Sequence, residues 1–72
     1  VALDGGVDGY SEIKNVVKKS TELIKTKGKL ILEIGDKQLN FTKEILIRNG
    51  FYINKTVKDL AEKNRCIVST KI

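Results

Sequence analysis

Seventy-two residues make one domain at most, and a chain of this length buries only about 60% of the surface its unfolded form exposes, so its core is small and its stability marginal. The net charge of +5 comes from twelve lysines and two arginines scattered along the chain. Base-edge readout and bidentate phosphate contacts favour arginine, and no aromatic residues interleave with the charges, which disfavours a nucleic-acid surface. With no histidine and a single cysteine, Cys66, the chain has no internal disulfide, Cys/His zinc cluster or Cys–His catalytic pair, and Cys66 reads as a buried apolar thiol.

The first ten residues, Val1 to Tyr10, hold three glycines and two aspartates, a composition that predicts a loop over residues 1–9. Gly5-Gly6-Val7-Asp8-Gly9 resembles a phosphate cradle only superficially, since no Lys or Ser/Thr follows at P-loop spacing. A helix is expected over residues 10–27. Tyr10, Ile13, Val16, Val17, Leu23 and Ile24 fall on one face, and Glu12, Lys14, Lys18, Lys19, Glu22 and Lys25 on the other. Asp8 or Ser11 can cap its start, Glu12 suits the positive end of the helix dipole, and Lys25 and Lys27 precede Gly28 as the residue just beyond its end.

Leu30, Ile31, Leu32 and Ile34 form a nearly unbroken apolar run with glycine at both ends. It is too short for a helix and lacks the alternation of a strand with one wet face, which predicts a central strand of a parallel sheet over residues 29–35, covered on both sides. Asp36 then stands as N-cap of a second helix over 37–49, whose arc of Leu39, Phe41, Thr42, Ile45 and Leu46 faces the sheet and which Gly50 closes. Residues 51–58 read as a strand with Phe51, Ile53 and Val57 alternating against Tyr52, Asn54 and Thr56. A loop over 59–64 leads to a last strand, 65–72, with Cys66, Val68, Thr70 and Ile72 on one face, able to return antiparallel. The fold class is α/β, in the order loop, α, β, α, β, β.

Chemistry is sparse in this pattern. Glu33 is the one carboxylate inside an apolar element. In a buried strand its charged form would be disfavoured unless paired, which makes it a candidate site residue, while at the strand's edge it would only cap a loop amide. Ligands of open α/β sheets bind beyond the carboxyl ends of the strands, where Glu33, Gly35 and Asp36 stand.

Several separated motifs carry a resemblance. Ala2-Leu3-Asp4-Gly5-Gly6-Val7-Asp8-Gly9, Leu30-Ile31-Leu32-Glu33-Ile34-Gly35 with Gln38, Gly50-Phe51, and Asp59-Leu60-Ala61 with Arg65 resemble the C-terminal portion of HemK/PrmC-type protein-(glutamine-N5) methyltransferases, across essentially the whole chain. The resemblance implies the class I, Rossmann-like methyltransferase fold, whose last strand inserts antiparallel between the two before it. It also implies S-adenosylmethionine as cofactor and peptide chain release factors, methylated on the glutamine of their Gly-Gly-Gln motif, as partners. In such proteins the glycine-rich cofactor loop, the acidic residue on the ribose and the Asn-Pro-Pro-Tyr motif all precede the stretch matched here. The resemblance therefore assigns this chain no catalytic and no cofactor-binding residue. It leaves Gly5, Gly6, Asp8 and Gly9 as a substrate loop beside the supporting half of the sheet, and implies that the isolated chain is inactive. The family usually has glycine where Glu62 stands.

Val1 in place of methionine suggests a piece of a longer chain. No apolar run approaches the roughly 20 residues that span a bilayer, and no signal-peptide pattern is present, so a cytoplasmic protein without a membrane partner is expected. Two other readings are a free-standing small α/β module binding RNA or an acidic protein, and an amino-methyltransferase acting on DNA or RNA.

Overall fold

The computed structural model describes residues 2–3 and 9–72. Its elements are β1 (Ala2–Leu3), α1 (Tyr10–Leu23), β2 (Lys29–Glu33), a 3-10 turn (Asp36–Gln38) leading into α2 (Leu39–Arg48), β3 (Phe51–Lys58) and β4 (Asn64–Lys71). The sheet order is β1-β2-β4-β3. β1 runs parallel to β2, with Ala2 opposite Ile31 and Leu3 opposite Leu32, and β4 lies antiparallel between β2 and β3. The expectation of loop from the first residue is thereby corrected: Ala2 and Leu3 precede the glycines and pair with an edge of β2 whose polar groups need partners.

The core is one cluster. Ile13, Val17 and Ile24 from the α1 segment, Ile45 and Leu46 from α2, and Leu30, Leu32, Ile34, Phe51 and Ile67 from the sheet are all buried together. In β2 only alternate residues are buried, and Leu30 pairs with Ser69 and Leu32 with Ile67, so these four share the face that the helices cover. Ile31 and its partner Val68 stand half-buried on the other face. β2 is therefore central, but its neighbours within this chain are one parallel and one antiparallel strand, and one of its faces is only partly covered. Both expectations, a parallel surround and full cover on two sides, are corrected.

Two further corrections concern alternation. β3 pairs with β4 in register from Phe51 to Ile53, then slips at Asn54, so that Lys55 rather than Asn54 lies opposite Val68. The extra residue is a β-bulge, which reverses the phase of the strand beyond it. Phe51 is buried and Ile53 packs on the core, but Val57 is exposed, opposite half-buried Cys66. Cys66 is therefore not the fully buried thiol expected.

α1 ends four residues earlier than its apolar spacing suggests. Ile24 turns to an extended conformation and stays buried, whereas Leu23, expected on the inner face, is exposed. Lys27 takes a left-handed φ of 73°, and Gly28 sits where an added Cβ would lie 2.5 Å from Ile24 Cγ2 and 2.8 Å from the Lys25 carbonyl oxygen. Gly28 thus serves a close backbone approach and is not the residue just beyond the helix end. The carbonyls left open at that end, those of Thr21 and Ile24, accept hydrogen bonds from the Lys71 ammonium, which reaches across from β4. At α2 the expected stop is found: Gly50 has φ 83° and its N–H donates to the Ile47 carbonyl.

Candidate functional site at the strand ends

Because β4 is antiparallel to both β2 and β3, those two strands run in the same direction as β1, and all three end on one edge of the sheet. That edge carries Leu3, Glu33 and Lys58, the turn Gly35 to Gln38 after β2, and the turn Asp59 to Lys63 after β3. It is where open α/β sheets place their ligands. Gly5, Gly6 and Asp8 of the expected substrate loop lie outside the described residues. Gly9, with φ 84°, is the residue before the first helical turn and offers no side-chain cap, while Ser11 lies inside the helix.

The turn after β2 is closed by Gln38, whose Oε1 accepts from the Gly35 N–H at 2.9 Å while its own N–H donates to the Gly35 carbonyl at 2.9 Å. Asp36 does not cap the helix. Its Oδ1 instead accepts from the backbone N–H of Asn64 at 2.7 Å and from the Asn64 side-chain amide at 3.1 Å, tying the turn after β2 to the start of β4. A second carboxylate organises the other turn. Asp59 Oδ1 accepts from the N–H groups of Ala61 and Lys63, at 2.9 and 3.0 Å, and Oδ2 accepts from Arg65 Nε at 2.7 Å. The Lys63 amide first, then the Arg65 side chain, hold the Asp59 carboxyl below its ordinary value. Glu62 in this turn has φ 64°, the left-handed conformation that glycine adopts without strain.

Glu33 is exposed at the end of β2, opposite Cys66, so the burial on which its candidacy rested is absent. The structure therefore brings Gly35 and Asp36 together with Asp59, Asn64 and Arg65, and leaves Glu33 at the rim. Asp59 and Asn64 were not among the candidates. An Asp whose carboxylate can reach the amide two residues ahead is a recognisable turn signal, and Asp59-Leu60-Ala61 carries it. Both aspartates accept from backbone amides and so shape the edge. Among the described residues no group of His, Cys, Asp or Glu is placed to hold a metal ion. No described helix is long and apolar enough to cross a membrane. A surface depression of about 380 Å³ lies on the exposed flank of α1, between Asn15, Lys18, Lys19 and Glu22, away from this edge.

Comparison with known proteins adds to this geometry. The chain is 30% identical over 70 residues to the release factor glutamine methyltransferase of Thermodesulfovibrio yellowstonii, covering 97% of this chain and 25% of that protein. It is 37% identical over 70 residues to the protein of the same name in Clostridium botulinum, with the same shares. It is 32% identical over 72 residues to the bifunctional methyltransferase of Rickettsia felis, which covers this whole chain and 14% of that protein. The chain thus spans a quarter or less of the length of these relatives. No family model and no solved structure matches it.

Proposed function

The chain belongs with the release factor glutamine methyltransferases, and from that premise we propose that the protein carrying it transfers a methyl group from S-adenosylmethionine to the glutamine amide in the Gly-Gly-Gln motif of peptide chain release factors. The similarity along the whole chain to relatives of that name carries this reading. The topology supports it: a closing strand set antiparallel between two parallel ones is what the class I methyltransferase fold requires at its end. A partly covered outer face on β2 also fits a larger sheet sandwiched by further elements.

In this reading the chain is scaffold and part of the substrate wall. α1 and α2 fix one side of the sheet, and the loop over Gly5, Gly6, Asp8 and Gly9, with the turns at Gly35-Asp36 and Asp59, borders the glutamine pocket. Methyl transfer to an amide needs a bound sulfonium donor, and the resemblance places the glycine-rich cradle and the acidic residue for the ribose before the stretch matched here. Cofactor binding therefore falls to the rest of the protein.

Two measurements test this. The protein carrying the chain, incubated with S-adenosylmethionine and an intact release factor, is expected to add one methyl group to that glutamine, read by peptide mass spectrometry; transfer elsewhere or none would refute the assignment. The isolated chain, titrated with S-adenosylmethionine and followed by NMR, is expected to show no saturable, localised shifts at sub-millimolar cofactor. Such shifts would place the cofactor site within these residues.

A further inference from the structure

Asn49-Gly50, at the junction of α2 and β3, is the one Asn-Gly pair in the chain. Asparagine is chemically labile, and glycine is its most permissive successor, because the backbone nitrogen that attacks the side-chain amide then has no Cβ to obstruct it. The reaction needs no partner molecule but water. It requires that the Asn49 Cβ and the Gly50 nitrogen come nearly eclipsed about the Cα–C bond, so that a five-membered ring can close. Three features of the fold oppose this. With φ −98° and ψ 15°, Asn49 holds those two atoms far from eclipsed. Its side-chain amide folds back along the helix and donates to the Ile45 carbonyl at 2.8 Å. The attacking nitrogen is itself engaged, since the Gly50 N–H donates to the Ile47 carbonyl at 3.1 Å, and the Gly50 carbonyl accepts from the Ile72 N–H at 2.8 Å. All of these groups belong to this chain, whatever packs around it.

From these features we infer that Asn49-Gly50 is a deamidation site, kept as asparagine while the end of α2 is intact and modified when that turn opens. The Gly50 nitrogen, its proton taken by hydroxide, forms a bond to Asn49 Cγ, and the side-chain nitrogen leaves as ammonia. Water then opens the cyclic imide at either carbonyl, giving aspartate or isoaspartate; nothing is oxidised or reduced. Neither product restores the original turn. The side chain that donated to Ile45 becomes a carboxylate, set against a carbonyl acceptor at the negative end of the helix dipole. Isoaspartate also adds one carbon to the backbone just ahead of Gly50 and of Phe51, which is buried in the core. The junction stands at the start of β3, at the opposite end of that strand from Lys58 and the strand-end edge. Modification therefore weakens the fold and leaves the groups of that edge as they are, and the inference is independent of the functional reading.

The test holds the complete protein carrying the chain at mildly alkaline pH, native in one sample and unfolded by guanidinium in another, and follows both by mass spectrometry of tryptic peptides. Cleavage after Arg48 and Lys55 yields a single peptide with both Asn49 and Asn54, so Asn54, which lysine follows, is an internal control. In the unfolded sample Asn49 is expected to deamidate well ahead of Asn54, with aspartyl and isoaspartyl products both present. In the native sample Asn49 is expected to react roughly tenfold more slowly than that, or slower still. Equal rates in the two samples overturn the protection by the turn, and an Asn49 that reacts no faster than Asn54 when unfolded overturns the site. Asn49→Asp installs one product directly and is expected to lower the melting temperature; an unchanged melting temperature overturns the cost assigned to the modification.

Discussion

At the scale of single residues, two aspartates carry most of the organisation of the strand-end edge, and only one of them acts as its position in the sequence suggests. Asp36 stands where an N-cap belongs, yet its carboxylate serves Asn64, twenty-eight positions away. A partner so distant in sequence is set by the sheet topology, which local spacing does not encode. Asp59 has local partners, and its turn was legible from its own motif. Its carboxyl is lowered by the Lys63 amide first and by Arg65 next, so the ionised form is favoured in the folded state. The contribution of Asp59 to stability is therefore fully present above its unfolded value of about 3.9 and is lost as pH falls through the lower folded value. Unfolding curves of the parent chain and of Asp59→Asn, recorded from neutral pH downward, are expected to differ at pH 6 and to converge in acid. A constant difference across that range would show that the charge of Asp59 is not what holds the turn.

At the scale of elements, periodicity identified both helices and the three longer strands, while the ends and faces were decided by contacts it does not contain. α1 stops at Leu23 because Ile24 must turn into the core, and Lys71 from β4 meets the open carbonyls. β3 changes face at Asn54 because a bulge inserts one residue, which no alternation of apolar residues announces. β2 offers the sharpest test. Its apolar run suggested equal burial on two faces, but Leu32 is buried among helices and strands while Ile31 is only half-covered. Leu32→Ala is expected to cost about 2 to 5 kcal/mol, enough to unfold a marginal domain, whereas Ile31→Ala is expected to cost about 1 kcal/mol and leave the chain folded. Chemical denaturation of the two variants checks this. Equal losses would mean that the outer face is packed as tightly as the inner one.

At the scale of the whole molecule, the hydrogen-bonded framework is unevenly braced. β4 is bonded on both sides, to β2 and to β3, while among the described residues β3 pairs with β4 alone. β4 is thus innermost among the three long strands although it follows both of its neighbours in sequence, so the sheet cannot close before β4 is in place. That arrangement was implied by the family resemblance; residue patterning said only that the last strand could return antiparallel. A resemblance conveys strand order, whereas hydrophobic periodicity is blind to it, since every order buries the same residues. The framework predicts where exchange of backbone amides with solvent is slowest. Leu30 and Leu32 of β2 and Ile67 and Ser69 of β4 lie on the face beneath the helices, with their ladder bonds flanked by core side chains. Opening them requires global unfolding. The outer amides of β3 beyond the bulge at Asn54, and those of the two-residue β1, can open locally. Native-state hydrogen exchange by NMR is therefore expected to give the largest protection, equal to the global unfolding free energy, in the centres of β2 and β4. Amides near Thr56 and Lys58 should exchange through smaller openings. Maximal protection confined to α1, with β4 exchanging faster, would show that the helix is the more stable unit and that the strand between β2 and β3 joins it late and loosely.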